Sequence, residues 1–164
     1  MPLELILMRH AKSSWDDPLL TDFDRVLNAR GRASAVAMGK WLRETGHLPE
    51  QTLCSSSART RETRELAAMG GAVIFSDALY HASAARMLSA LKEVSAATVL
   101  MIGHNPGIAM LAEALAIAPP DHPRFRDYPT CATTVFAFDA ADWGAVGPAS
   151  GRVVAFKTPR ELLE

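Results

Sequence analysis

The 164-residue sequence has only two cysteines, no apolar run near the roughly 18 residues that cross a bilayer, and almost no surplus of charge. Each shortage excludes something. Cys54 and Cys131 lie far apart in apolar contexts, which predicts buried thiols rather than a disulfide or a redox pair. The start lacks a basic stretch leading into a long apolar core, so it does not read as a signal peptide, and a cytoplasmic location is expected by default. A formal net charge of −1 gives no global reason to expect nucleic acid or an anionic membrane as partner; any anion site must be local. His10, His81 and His104 lack a short ligand pair such as His-x3-His, and Arg9 beside His10 would repel a cation, so neither a metal nor another cofactor is expected. There is no internal repeat and no low-complexity tail. At 49% apolar and 21% charged the chain is composed as a soluble globular protein, and residues 1–164 are read as one domain.

What is present begins with LELILMRH, Leu3 to His10. Five apolar residues in a run of six predict a buried strand, and Arg9 and His10 follow where it stops. In an open α/β sheet, ligands collect outside the carboxyl ends of the strands. An Arg beside a His suits phosphoryl chemistry, because the guanidinium forks onto phosphate oxygens while the imidazole attacks phosphorus.

Residues 11 to 27 are polar and Asp-rich without clean periodicity, and a loop this long is expected to cover or complete a site. Asn28 is the expected cap of a helix running to about Thr45, with Gly46 as its stop. Gln51 to Cys54 reads as a second strand, followed by a helix that Ser56 or Ser57 can cap and that Gly70 and Gly71 end. Arg59 and Arg61 fall in its first turn, where the helix dipole disfavours cations unless an anion is bound. Ala72 to Phe75 is a third strand, and a helix from about Ala84 to Val94 carries Met87, Leu88, Leu91 and Val94 on one face.

Thr98 to Ile102 is another continuous apolar run, ending in GHNPG. Asn105 and Pro106 start a helix directly after His104, and free amides at that start favour an anion. A Pro-rich excursion from Ala118 to Pro129 precedes two strands, Thr133 to Phe138 and Arg152 to Lys157, which lack room for a helical crossover and are expected to pair antiparallel at one side. The expected fold is a three-layer α/β/α sandwich with a mostly parallel central sheet. Three strand-to-helix junctions then present Arg9 and His10, Arg59, and His104 on one sheet edge, a pocket suited to a dianionic phosphoryl group.

RHAKSSW, DRVLNARG, SSSARTRET and GHNPG, in that order, resemble the histidine phosphatase superfamily, which includes phosphoglycerate mutases and acid phosphatases. Their form is most similar to the small SixA-type phosphohistidine phosphatases, over about two thirds of the chain. The resemblance implies that His10 is the nucleophile that becomes phosphorylated, that Arg9 and Arg59 grip the phosphoryl oxygens, and that His104 stabilises the transferring group. Arg25 matches a further basic position of the small branch, and Asn105 and His81 complete the candidate substrate contacts. Many members carry a carboxylic acid after the third strand to protonate an alkoxide, whereas this chain reads ALYHASAARML there. That departure favours a P–N substrate, with Asp16, Asp17, Asp77 or His81 as the residues that could supply a donor instead. The expected partner is a phosphorylated protein or a small phosphorylated molecule; a phosphomonoesterase for a small metabolite and a non-catalytic phosphate- or phosphopeptide-binding module are the alternatives. A chain this short has little insertion material to retain a mutase intermediate.

Overall fold

Leu3–Arg9 forms strand β1, and its apolar side chains divide between two cores. Ile6 and Met8 pack on one face of the sheet, Leu3, Leu5 and Leu7 on the other. Alternation puts successive side chains on opposite faces, so an uninterrupted apolar run is what a strand covered on both sides requires. The computed structural model describes residues 2–163.

The other strands are β2 (Gln51–Ser55), β3 (Ala72–Ser76), β4 (Thr98–Gly103), β5 (Thr133–Phe138) and β6 (Gly151–Lys157). The helices are α1 (Ala29–Glu44), α2 (Ala58–Ala67), α3 (Ala84–Lys92), α4 (Gly107–Leu115) and a short α5 (Pro159–Leu163). The six strands run in the order β3-β2-β4-β1-β5-β6. The first four in that order are parallel, and β5 lies antiparallel between β1 and β6. Ala35, Met38 and Leu42 of α1 and Ala67 of α2 join the core with Ile6, Met8, Leu100 and Ile102. Met87 and Leu91 of α3 and Ile108 and Leu111 of α4 join the opposite core with Leu5, Leu7, Val99 and Met101. The result is the three-layer α/β/α architecture expected from the sequence. The chain moves outward through β2 and β3 and then returns to insert β4 beside β1. Because parallel crossovers keep one hand, the reversal puts α3 on the face opposite α1 and α2. It also sets the carboxyl ends of β1, β4 and β2 side by side.

Local signals held at most boundaries. The Asn28 side chain accepts from the Gly31 amide and caps α1. A Cβ on Gly31 would lie 2.0 Å from the Lys12 carbonyl oxygen, so a glycine there lets the loop after His10 pass against the start of α1. Four details differ from expectation, the first being that α4 begins at Gly107 with Pro106 rather than Asn105 at its cap. Ser57 stands at the cap of α2, but its hydroxyl bonds the Thr60 hydroxyl and not a cap amide. That helix ends at Ala68, in a left-handed conformation, before Gly70 and Gly71 are reached. Helix α5 carries no periodic signal in the sequence, because five residues are too few to show a period. Cys54 and Cys131 are buried free thiols, and burial pushes both up to about 12. Among the described residues no helix is long and apolar enough to cross a membrane.

Candidate active site

A cavity of about 300 Å³ opens at the adjoining carboxyl ends of β1, β4 and β2. Arg9, His10, Arg25, Arg59, His81, His104 and Asn105, all expected from the sequence, line it. So do Lys12, Ser13, Trp15, Asp22 and Thr130.

The backbone of His10 is fixed from two sides. Its amide donates to the Gly103 carbonyl at the end of β4, and its carbonyl accepts from the Cys131 amide ahead of β5. Its Nδ1 lies 2.7 Å from the Ala11 carbonyl oxygen, which can only accept, so Nδ1 carries the proton and Nε2 keeps the lone pair. Thr63 of α2 holds the next residue, its hydroxyl accepting from the Ala11 amide and donating to the Arg59 carbonyl. His104 sits 5.2 Å from His10 between ring centroids. Its Nδ1 is 3.4 Å from Arg59 Nη2, always a donor, and so accepts; its Nε2 donates to Ser55 Oγ at 2.8 Å. Ser55, fully buried at the end of β2, thus orients the second histidine. Nothing in its sequence context had singled it out.

Both rings are held neutral. Burial pushes His10 down to about 3, with the charges of Arg9, Arg59 and Arg25 acting in the same direction against the Ala11 carbonyl. Burial, then His10, Arg59 and His81, push His104 down to about 2. A ring-proton NMR titration checks this: at pH 5 both rings should retain neutral-imidazole shifts, where a free imidazole of pKa ~6.5 is largely protonated. Between about pH 6.5 and 3 the unfolded chain binds protons at these two positions that the folded chain does not, so stability should rise with pH across that window. Two imidazolium rings at pH 5 would overturn the expectation.

The guanidinium groups converge. Arg59 is 2% exposed, and its Nη1 and Nη2 reach the Asp22 carbonyl at 2.6 Å and the Asp22 carboxylate at 3.0 Å. Arg25 donates to Ser13 Oγ, to the Ser14 carbonyl and to the Asp22 carboxylate, and its guanidinium lies 3.5 Å from the Trp15 ring centroid. Arg9 donates from Nη1 to the Tyr128 carbonyl, and burial and the neighbouring Arg59 lower its pKa. Among the described residues the buried Nε atoms of Arg9 and Arg59 have no hydrogen-bond partner. Arg61 turns away from the cavity, donating to the Ser56 carbonyl with its guanidinium over the Phe75 ring.

The main departure from the sequence reading is Asp22. Among the described residues it is the only carboxylate lining the cavity, and it comes from the 11–27 loop rather than from the segment after β3. Its carboxylate accepts from Tyr80, His81, Arg59 and Arg25. Burial acts to raise its pKa, but those four hydrogen bonds outweigh it and hold the carboxyl well below the usual range. Asp16 and Asp17 stand outside the cavity lining, and Asp77 does too, accepting from the Ser56 hydroxyl. His81 is half exposed and uses Nε2 to bond Asp22. Asn105 lines the wall, donating to the Asp127 and Tyr128 carbonyls and accepting from the Ala109 amide, so it ties the Pro-rich excursion to α4. Among the described residues no group of three or more His, Cys, Asp or Glu is arranged to hold a metal ion.

Known proteins are similar to this chain in sequence and in fold. The family model of the histidine phosphatase superfamily (branch 1) matches residues 5–80. The uncharacterized protein ML1117 of Mycobacterium leprae is 32% identical over 162 residues, covering 93% of this chain and all of the relative. A solved structure from Nakamurella multipartitia, a candidate phosphohistidine phosphatase SixA, superposes with a TM-score of 0.84 at 29% identity, covering 97% of each chain. The corresponding candidate SixA from Agrobacterium tumefaciens gives a TM-score of 0.78 at 26% identity, covering 97% of this chain and 99% of that one.

Proposed function

This chain belongs to the histidine phosphatase superfamily, and from that premise we propose that it is a metal-independent phosphatase acting through a phosphohistidine on His10, with protein phosphohistidine as its substrate. The observation that carries the choice of a P–N bond is the state of Asp22. Among the described residues it is the one carboxylate in the cavity, and four donors keep it ionised, so it cannot protonate a departing alkoxide. A phosphohistidine ring protonated on its second nitrogen needs no such donor, because it leaves as neutral imidazole. The candidate SixA structures from Nakamurella and Agrobacterium support the same reading.

In the first step His10 Nε2 attacks phosphorus in line, and the bond to the substrate nitrogen breaks. The Ala11 carbonyl retains the Nδ1 proton, so the phosphorylated ring is cationic and is itself a good leaving group. Water then attacks the same phosphorus, the bond to Nε2 breaks, both water protons leave on the phosphate product, and His10 is restored as neutral imidazole with its Nδ1–H in place. Arg9, Arg59 and Arg25 neutralise the charge that spreads over the equatorial oxygens, and His104, set by Ser55 and Arg59, supports the transferring group. The small cavity accepts a side chain presented by another protein, with Trp15 exposed at its rim.

The test compares steady-state rates on a phosphohistidine-bearing protein, para-nitrophenyl phosphate and a phosphoserine peptide, all in excess EDTA. Because a general acid contributes about 10²–10⁴-fold to rate where an alkoxide must leave, the phosphohistidine substrate should lead the phosphoserine peptide by a factor in that range, while para-nitrophenyl phosphate, whose phenolate leaves unprotonated, is turned over without a donor and reports the nucleophile alone. Equal or faster turnover of the phosphoserine peptide would show that a donor completes the site and assign the protein to phosphate esters, with His81 as the donor to examine. Loss of activity in EDTA would overturn the metal-independent mechanism.

A further inference from the structure

A second and larger hollow adjoins the catalytic cavity. It measures about 710 Å³ against about 300 Å³, and the two share Lys12 and Thr130 in their walls. Four separate segments bring cations to it: Lys12 after β1, Arg30 in the first turn of α1, Arg124 in the Pro-rich excursion and Arg160 in α5. Among the described residues one carboxylate, Glu161, lines it with them, and it is already engaged by His122 at 2.9 Å and by the Thr158 amide and hydroxyl at 3.0 Å each. The hollow is therefore cationic on a chain whose formal net charge is −1.

The disposition of the charges indicates what they meet. In the catalytic cavity, Arg25 and Arg59 are buried and bond a single carboxylate, which is the arrangement a compact dianion needs. In the adjoining groove, Lys12, Arg30, Arg124 and Arg160 are exposed and spread over the surface, and Arg124 is shared with Asp127. Dispersed cations at a rim raise association rate and set orientation more than they hold one small group.

We propose that this groove docks acidic side chains of the protein that presents the phosphohistidine, so that Asp and Glu residues around the phosphorylated site lie across Arg30 and Arg124 while the phosphoryl group enters the cavity past Lys12. The proposal rests on the phosphohistidine reading above and adds the chemistry of the substrate surface.

The test uses a short fluorescent peptide of aspartates around a central, unphosphorylated histidine, and its counterpart with serines in place of the aspartates. By anisotropy at low ionic strength, the wild type should bind the acidic peptide at least about tenfold more tightly than the serine peptide, and salt should erase the difference. The Arg30→Glu/Arg124→Glu variant should lose that preference while keeping wild-type kcat/KM on para-nitrophenyl phosphate, which shows that the fold and the catalytic cavity are intact. Equal binding of the two peptides by the wild type overturns the proposal, as does an unchanged preference in the variant. Tripolyphosphate binding more tightly than the acidic peptide, and lost in the variant, would assign the groove to a small polyanion and overturn it as well. Phosphorylated forms of both peptides then report kcat/KM. If neither is hydrolysed, the phosphohistidine reading falls, while the anisotropy result still decides what the groove binds.

Discussion

His10→Ala should abolish turnover and, with it, any covalent phosphorus on the protein. Wild-type enzyme mixed with ³²P-labelled substrate and quenched rapidly should carry an acid-labile, base-stable label. The variant should carry none, and its kcat should fall by roughly 10⁴-fold or more, as is usual when a nucleophile is removed. The size of the effect follows from the geometry. Nε2 of His10 holds the lone pair because Nδ1 is committed to the Ala11 carbonyl, and the ring is neutral because burial and three arginines oppose its protonation. His104 cannot substitute, since its Nδ1 faces Arg59 and its Nε2 is used on Ser55. A label that survives in His10→Ala would show that another residue is the nucleophile. Wild-type protein that binds phosphate but never becomes labelled would instead be a binding module on a phosphatase scaffold.

The strand ends that build this site were legible because each follows an apolar run buried on both faces, and such runs stand out in any sequence. β1 and β4 are of this kind, and with them came Arg9, His10 and His104. Arg59 was legible for an electrostatic reason, being a cation in the first turn of a helix, and the structure places it 2% exposed against Asp22 and His104. Asp22 was not legible. It belongs to a loop whose only regular element is a three-residue helical turn, Asp22–Asp24, and nothing in a non-periodic, Asp-rich segment marks which carboxylate folds inward. Arg25 is only three residues away, but Tyr80, His81 and Arg59 come from two other parts of the chain, so those contacts exist only once the sheet has brought them together. Ser55 is unmarked in the sequence for the opposite reason. It looks like one more serine in SSSARTRET, and its role as the acceptor for His104 depends on the β2–β4 pairing rather than on its neighbours in sequence.

On the proposed function, Arg59→Ala and Arg61→Ala should separate an arginine that binds phosphate from one that merely shares its helix turn. Competitive inhibition by phosphate or tungstate should weaken by about 10²-fold or more in Arg59→Ala, since each hydrogen bond from a guanidinium to an anion is worth roughly 1.5–3 kcal/mol and Arg59 can supply two. The same inhibition should change by less than about twofold in Arg61→Ala, whose guanidinium serves the Ser56 carbonyl and the Phe75 ring outside the cavity. Arg59 also neutralises Asp22, so truncating it leaves that carboxylate facing the phosphoryl site with fewer donors. The loss of anion affinity therefore combines a missing attraction with a newly exposed repulsion. Arg59→Lys distinguishes the two contributions: an ammonium group retains a positive charge near Asp22 but cannot present the planar fork, so it should recover only part of the affinity. Equal weakening in Arg59→Ala and Arg61→Ala would show that the anion lies nearer the start of α2 than the cavity geometry places it. Full recovery by lysine would reduce the role of Arg59 to charge alone.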